Sequence, residues 1–173
     1  MKIFLLLSFF VPGMLFCQDT INHFKLENGH VTWERSFPTS LSAYQVFSNI
    51  KATNIFDIAT IDSPGLTGKL KPYDLDFKGA GYSEWTAPIY LSRNSFDGFC
   101  TVEFQGDKYL VTVSQMQLIM KYDDPMTQKG ETLPFEKIAL NQSNGYSAGF
   151  VKSPSAILDY NLSKMFGMSP NLK

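Results

Sequence analysis

The chain has two histidines, His23 and His30, and two cysteines, Cys17 and Cys100. These residue types carry acid–base, nucleophilic and metal chemistry when their spacing allows it. His23 and His30 flank one hairpin and could face the same region. No Cys joins them at metal-ligand spacing, and neither an HxE-type nor an HExxH pattern occurs. Two surface histidines are the simpler reading. A Ser/His/Asp set can be assembled from His30, one of several serines and Asp57, but no Gly-x-Ser-x-Gly elbow holds such a serine. Asp74 and Asp76 lie at i and i+2, on one face of an extended segment, and Asp123-Asp124 sits in a turn. A calcium site needs six or more oxygens, and the EF-hand spacing is absent, so both pairs read as solvated charge. Gly79-Ala80-Gly81 lacks the Lys and the following helix of a phosphate-cradling loop. The sequence therefore assigns no catalytic residue, metal ligand or cofactor.

One segment remains as a candidate contact surface: Tyr82-Ser-Glu-Trp-Thr-Ala-Pro-Ile-Tyr. Aromatic rings in a loop offer large contact area at low entropic cost. Tyr82, Trp85, Ile89 and Tyr90 are thus the candidate binding residues, for a partner protein or a small apolar ligand. The competing reading is that Trp85 and Tyr90 cap an open edge of the core, and the general burial of bulky aromatics favours that cap.

Composition narrows the function classes. The 173 residues fit one domain. With 44% hydrophobic and 18% charged residues the chain can bury a core. Its net charge of −1 comes with no Lys/Arg cluster, which gives no reason to expect a nucleic acid. Residues 1–17 read MKIFLLLSFFVPGMLFC: Lys2, an apolar run from Ile3 to Val11, then Pro12 and Gly13. This is the layout of a secretory signal peptide, and the run is far short of the roughly 20 residues of a membrane span. Cleavage after Cys17 leaves Gln18 at the new N-terminus. A lipid anchor on Cys17 is the alternative, disfavoured because Phe16 occupies the place where a lipobox has a small residue. After cleavage only Cys100 remains, so no intrachain disulfide forms. Cys100, Val102 and Phe104 alternate with Thr101 and Glu103, which puts the thiol on the apolar face of a strand.

The elements follow from pattern. Asn28-Gly29 marks a type I′ hairpin, with Val31, Trp33 and Arg35 on one face of its second strand. Pro38 closes it. Ala43, Val46, Phe47 and Ile50 form the apolar stripe of a helix within 41–53, started by Thr39-Ser40 or by a Ser42–Gln45 capping box. Residues 56–61 predict a strand with Phe56, Ile58 and Thr60 on one face. Ser63-Pro64-Gly65 is a turn, 66–77 is extended with a break at Pro72, and 78–95 is a long loop. Phe99–Phe104 and Tyr109–Val113 pair across Gln105-Gly106-Asp107-Lys108, and the second strand continues to Met120 with a bulge near Ser114-Gln115. Residues 122–149 are turn-rich, with a helical turn around 135–141. The last helix spans 154–166, with Ser153 as N-cap, Pro154 at the first helical position and Gly167 as C-cap. The fold class is α+β: an antiparallel β-sheet with two helices packed on one face. The domain division is a signal peptide, 1–17, and a single α+β domain, 18–173. Within it, sheet and first helix occupy 22–120, the turn-rich segment 122–149 and the C-terminal helix 154–166.

Several of these segments resemble a family of bacterial exported proteins of unknown function with a TATA-binding-protein-like (TBP-like) fold. They are Leu26-Glu-Asn-Gly-His-Val-Thr-Trp-Glu, the helix directly after it, Leu66-Thr-Gly-Lys-Leu, and Cys100-Thr-Val-Glu-Phe-Gln-Gly-Asp-Lys-Tyr-Leu-Val-Thr-Val. The resemblance implies a curved antiparallel sheet backed by two helices. It brings no catalytic residue and no DNA binding, since fold and function are separable. Segments 78–95 and 122–149 do not fit a compact version, which leaves strand count and register open.

The function expected on these grounds is a non-enzymatic binding module, exported to the periplasm or secreted from the bacterial envelope. The alternatives are a hydrolase or metal-dependent enzyme using His23, His30 and nearby acids, and a structural subunit of an envelope complex.

Overall fold

The computed structural model describes residues 20–62, 65–83, 85–123, 125 and 127–168. The 1–17 segment with Cys17, and Ser63 and Pro64 of the expected turn, lie outside the described residues. Eight strands are described: β1 Thr20–Ile21, β2 Phe24–Glu27, β3 His30–Pro38, β4 Phe56–Asp62, β5 Gly65–Leu70, β6 Asn94–Phe104, β7 Lys108–Met120 and β8 Thr132–Pro134. The helices are α1 Ala43–Ala52, α2 Ile89–Ser92, α3 Glu136–Ala139, α4 Ala148–Lys152 and α5 Pro154–Phe166. All strands join one antiparallel sheet in the order β1-β2-β3-β7-β6-β5-β4. The far half of β7 pairs with β8.

The register divides the sheet into two chemically different faces. Trp33, Val113, Cys100, Gly68 and Ala59 form one cross-strand row, and Arg35, Val111, Val102, Leu66 and Ile61 the next. Most of these side chains are buried. The intervening row on the other face is Glu34, Thr112, Thr101, Thr67 and Thr60. Period-two alternation thus produces one apolar and one polar face, as half-buried antiparallel strands require.

Both long helices cover the apolar face. α1 buries Val46, Phe47 and Ile50 in the same core cluster as the sheet residues. It begins with the Ser42–Gln45 capping box; Thr39 instead accepts from the Leu41 N–H. α5 lies over β3 and β7, with Phe166 stacked on Trp33 at 6.3 Å between centroids. The Tyr109 hydroxyl donates to the Phe166 carbonyl at 2.6 Å. Asn49 of α1 contacts the sulfur of Met168, just beyond α5, at 3.8 Å.

Several expectations are corrected. Ile58 does not share a face with Phe56: a bulge between them shifts the register, and Ile58 is 74% exposed. The bulge closes on Gly68, where a Cβ would lie 2.7 Å from the Ile58 carbonyl oxygen and 2.8 Å from a Phe56 ring carbon. β6 begins at Asn94 rather than Phe99, because Gly98 interrupts the side-chain alternation within a continuous strand. Its bulge partner is the Gln115 region of β7, where Gln115 has φ 49°. Ser153 stands at the N-cap of α5 but makes no side-chain cap hydrogen bond. Gly167 has φ −70°, so it is no left-handed cap; a Cβ there would lie 2.7 Å from the Ser163 carbonyl oxygen. The expected 78–95 loop contains α2, and β1, α4 and β8 were not expected. The turn-rich segment also feeds the core: Phe135 sits 5.8 Å from Phe24, 5.4 Å from Phe150 and 5.8 Å from Phe96.

Candidate functional site

The candidate loop is held at its neck by the sheet. Tyr73 and Phe96 exchange both backbone hydrogen bonds, at 3.0 and 2.9 Å, and Ser95 donates to Asp74 at 2.8 Å. Just beyond, Asp76 fastens the chain to α5. Its carboxylate accepts from the Gly79 N–H at 2.8 Å and from Lys164 at 2.9 Å, and its own N–H donates to Asn161 at 2.8 Å. The Gly79 N–H, then Lys164, holds the Asp76 carboxyl below its ordinary range, and the Asp76 carboxylate raises Lys164 in return.

The loop then turns outward. Gly81 adopts φ +85°, open to glycine at no steric cost. Ser83 and Thr86 cap each other: the Ser83 N–H donates to the Thr86 hydroxyl at 2.9 Å and the Thr86 N–H to the Ser83 hydroxyl at 3.3 Å. The Ala87 N–H closes on the Ser83 carbonyl at 2.9 Å. This turn carries Trp85 at its apex, 96% exposed. Pro88 then starts α2, which buries Leu91 completely and leaves Ile89 69% exposed.

Two depressions flank this stretch. One is open on its outer side and is lined by Lys78, Gly81, Tyr82, Ser83 and Trp85. The other, of about 220 Å³, is lined by Ile89, Tyr90, Arg93, Asn94, Met120, Tyr122 and Thr127. The four sequence-chosen residues therefore divide between neighbouring hollows, Tyr82 and Trp85 in the first, Ile89 and Tyr90 in the second. Partial burial pushes the Tyr90 phenol up to about 12, so it stays protonated at neutral pH. Trp85 is no cap on the core; Tyr90, half-buried, packs against it. Lys78, Arg93, Met120 and Tyr122 were missed. Tyr122, 58% exposed at the end of β7, had no signal beyond being an aromatic in a polar stretch.

The histidines are placed apart. His23 Nδ1 lies 2.8 Å from Asp159 Oδ1, whereas His30 Nδ1 lies 3.9 Å from Glu136. His23 stands level with Glu34 through the Glu34 N–H bond to its carbonyl, four positions from His30, or roughly 13 Å along the strand. Asp159 also accepts from Trp33 Nε1 at 2.8 Å and faces Arg35 at 3.9 Å. Ser163 bonds Arg35 and Asp159 and makes no bond to His23, so no relay of serine, histidine and aspartate forms there. Among the described residues no group of three or more His, Cys, Asp or Glu is placed to hold a metal ion. Cys100 is buried, which drives its thiol upward and keeps it protonated. Among the described residues no helix is long and apolar enough to cross a membrane.

The sheet and its helix layer define an α+β fold. Two solved structures are similar to it. One is a TBP-like protein from Parabacteroides distasonis, 13% identical, with a TM-score of 0.47 over 82% of this chain and 90% of that one. The other is a DUF4468 family protein from Bacteroides ovatus, 13% identical, with a TM-score of 0.45 over 85% of this chain and 92% of that one. No family model matches the chain, and no curated protein matches it.

Proposed function

We propose that the protein is a non-enzymatic binding module, exported to the bacterial envelope or beyond it, whose 78–95 loop contacts a partner protein. The observation that carries this reading is Trp85. A large aromatic side chain stands 96% exposed on a turn closed by reciprocal side-chain caps, with Ile89 exposed four residues on. Trp is enriched, with Tyr and Arg, among the residues that dominate protein interfaces. Its exposure serves nothing in the core. Between a partner protein and a small apolar ligand, lack of enclosure favours the protein. Small-molecule sites are enclosing clefts of roughly 300–1,000 Å³. The hollow beside Ile89, about 220 Å³, falls below that range, and the one beside Trp85, about 600 Å³, falls within it but lies open to solvent. The layer between sheet and helices is filled by Trp33, Phe24, Phe135, Phe150 and Phe166. The apolar run at Ile3–Val11 supports export.

The test is crosslinking and affinity capture from envelope fractions with wild type, Trp85→Ala and Ile89→Ala. Loss of the wild-type partner with an unchanged melting temperature is expected, since both side chains are exposed. Full retention of every partner by both folded variants overturns the reading.

A further inference from the structure

We propose that the outer edge of β4 takes an extended, basic segment of a partner protein, which joins the sheet as a further strand. This does not rest on the reading of the 78–95 loop. β4 is the last strand on its side of the sheet: it pairs with β5, and among the described residues no strand pairs with its other edge. Beyond the bulge at Phe56 and Ile58, the register runs without a break from Ile58 to Asp62. That stretch is exposed on both faces of the sheet. Ile58, on the polar face, is 74% exposed, and Ile61, on the helix side, is 38% exposed. Thr60 and Asp62 are exposed as well. Extended backbone with a row of unpaired N–H and C=O groups is a template for another strand. Proteins commonly blunt such an edge with Lys or Pro, and Ile58-Ala-Thr-Ile-Asp62 holds neither.

The charges of the edge select its occupant. β4 carries Asp57 and Asp62 and no base. Both aspartates are exposed, and neither has a cation within ion-pair distance among the described residues. Ser63 and Pro64, which follow in sequence, carry no charge. The lysines of and beside β5 are engaged elsewhere: Lys69 pairs with Asp97 at 3.4 Å, and Lys71 donates to Asn54 at 2.7 Å. On the polar face Glu103 stands across Gly65 from Asp62, two strand spacings or roughly 10 Å away. A second copy paired edge to edge would bring four aspartates to one seam with no base from either strand, and like charges facing each other across strands destabilise. A basic strand reverses that sign. Alternation along it would set Lys or Arg on the face of Asp62 and an apolar side chain on the face of Ile61. The acids that repel a like edge thus attract a basic one.

The experiment pans a displayed library of random short peptides against the full chain and locates each enriched peptide by amide hydrogen exchange. Peptides that slow exchange at 58–62 are then titrated against wild type, Asp57→Asn, Asp62→Asn and Asp62→Lys. Both aspartates are exposed, so the variants should melt as wild type does. The expected peptides alternate Lys or Arg with β-branched residues. Each Asn variant should bind them about two- to fivefold more weakly and Asp62→Lys more weakly still, with differences that shrink as salt rises. If no enriched peptide slows exchange at 58–62, the proposal is overturned. Peptides that do so without basic bias, or with affinity indifferent to all three variants, overturn it too. So does exchange at 58–62 that slows with the concentration of the chain alone, which would make the occupant a second copy.

Discussion

Trp33 Nε1 donates to Asp159 Oδ1 at 2.8 Å, joining the centre of β3 to α5 across 126 residues of sequence. The indole is fully buried, so Asp159 supplies the one acceptor that its N–H has there. The same oxygen lies 2.8 Å from His23 Nδ1, which also ties the first hairpin to the helix. Asp159→Ala leaves a buried donor unpaired and should destabilise the fold by about 1–3 kcal/mol. A urea titration checks this through a lower midpoint at unchanged slope.

Two tyrosines should respond in opposite ways to loss of their hydroxyl. The Tyr109 hydroxyl donates to the Phe166 carbonyl and accepts from the Met168 N–H at 3.4 Å. Tyr109→Phe should cost about 1 kcal/mol. Among the described residues the Tyr73 hydroxyl is buried without a hydrogen-bond partner. Tyr73→Phe removes an unsatisfied group and should leave the melting temperature unchanged or raise it.

Gly68 is required by the bulge of β4. An added Cβ meets backbone, the Ile58 carbonyl at 2.7 Å, which cannot rotate away as a flexible side chain would. Gly68→Ala should destabilise by about 1–3 kcal/mol, in the range for overpacking. Gly29→Ala meets no atom within 4 Å but sits at φ +78°, so its cost is backbone strain alone. Thermal melts of the two variants separate crowding from dihedral strain.

The Asp76–Lys164 pair makes stability pH-dependent at both ends of the range. Asp76 is depressed in the folded state, first by the Gly79 N–H. Its contribution is present above the unfolded carboxyl pKa and is lost as pH falls through the folded one. Lys164 is raised, first by its hydrogen bond to Asp76. Its contribution is present below the unfolded lysine pKa and fades as pH rises through the folded value. The melting-temperature gap between wild type and Lys164→Met should therefore be widest at neutral pH and close in acid and in strong base. A gap constant with pH contradicts the assignment.

Cys100 should be silent toward thiol reagents in the native protein. It lies fully buried on β6, and burial raises its thiol, so both access and thiolate are lacking. Reaction with a disulfide reagent should appear only after denaturant is added.

Local signals explain what was legible in the sequence. Asn28-Gly29, the Ser42–Gln45 box and Pro154 act within a few residues, and the structure turns or starts an element at each. The β6–β7 pairing and its bulge were legible because alternation on both strands survives around Gly106. What escaped depends on distant partners. Ile58 reverses because Gly68 of β5, next to its partner Lys69, leaves room for the bulge between Phe56 and Ile58, and β8 pairs with the end of β7 that β3 leaves open. The site was half legible for the same reason. Tyr82, Trp85, Ile89 and Tyr90 lie in one run of sequence, whereas Met120 and Tyr122 join them only through the fold.

The exposure of Trp85 upon complex formation tests the central claim most directly. The chain has two tryptophans; Trp33 is fully buried and Trp85 is 96% exposed, so acrylamide quenching of the native protein reads Trp85. Addition of the captured partner should shield that fluorescence and lower the quenching constant severalfold. Quenching that stays the same in the saturated complex would mean that the loop takes no part in binding.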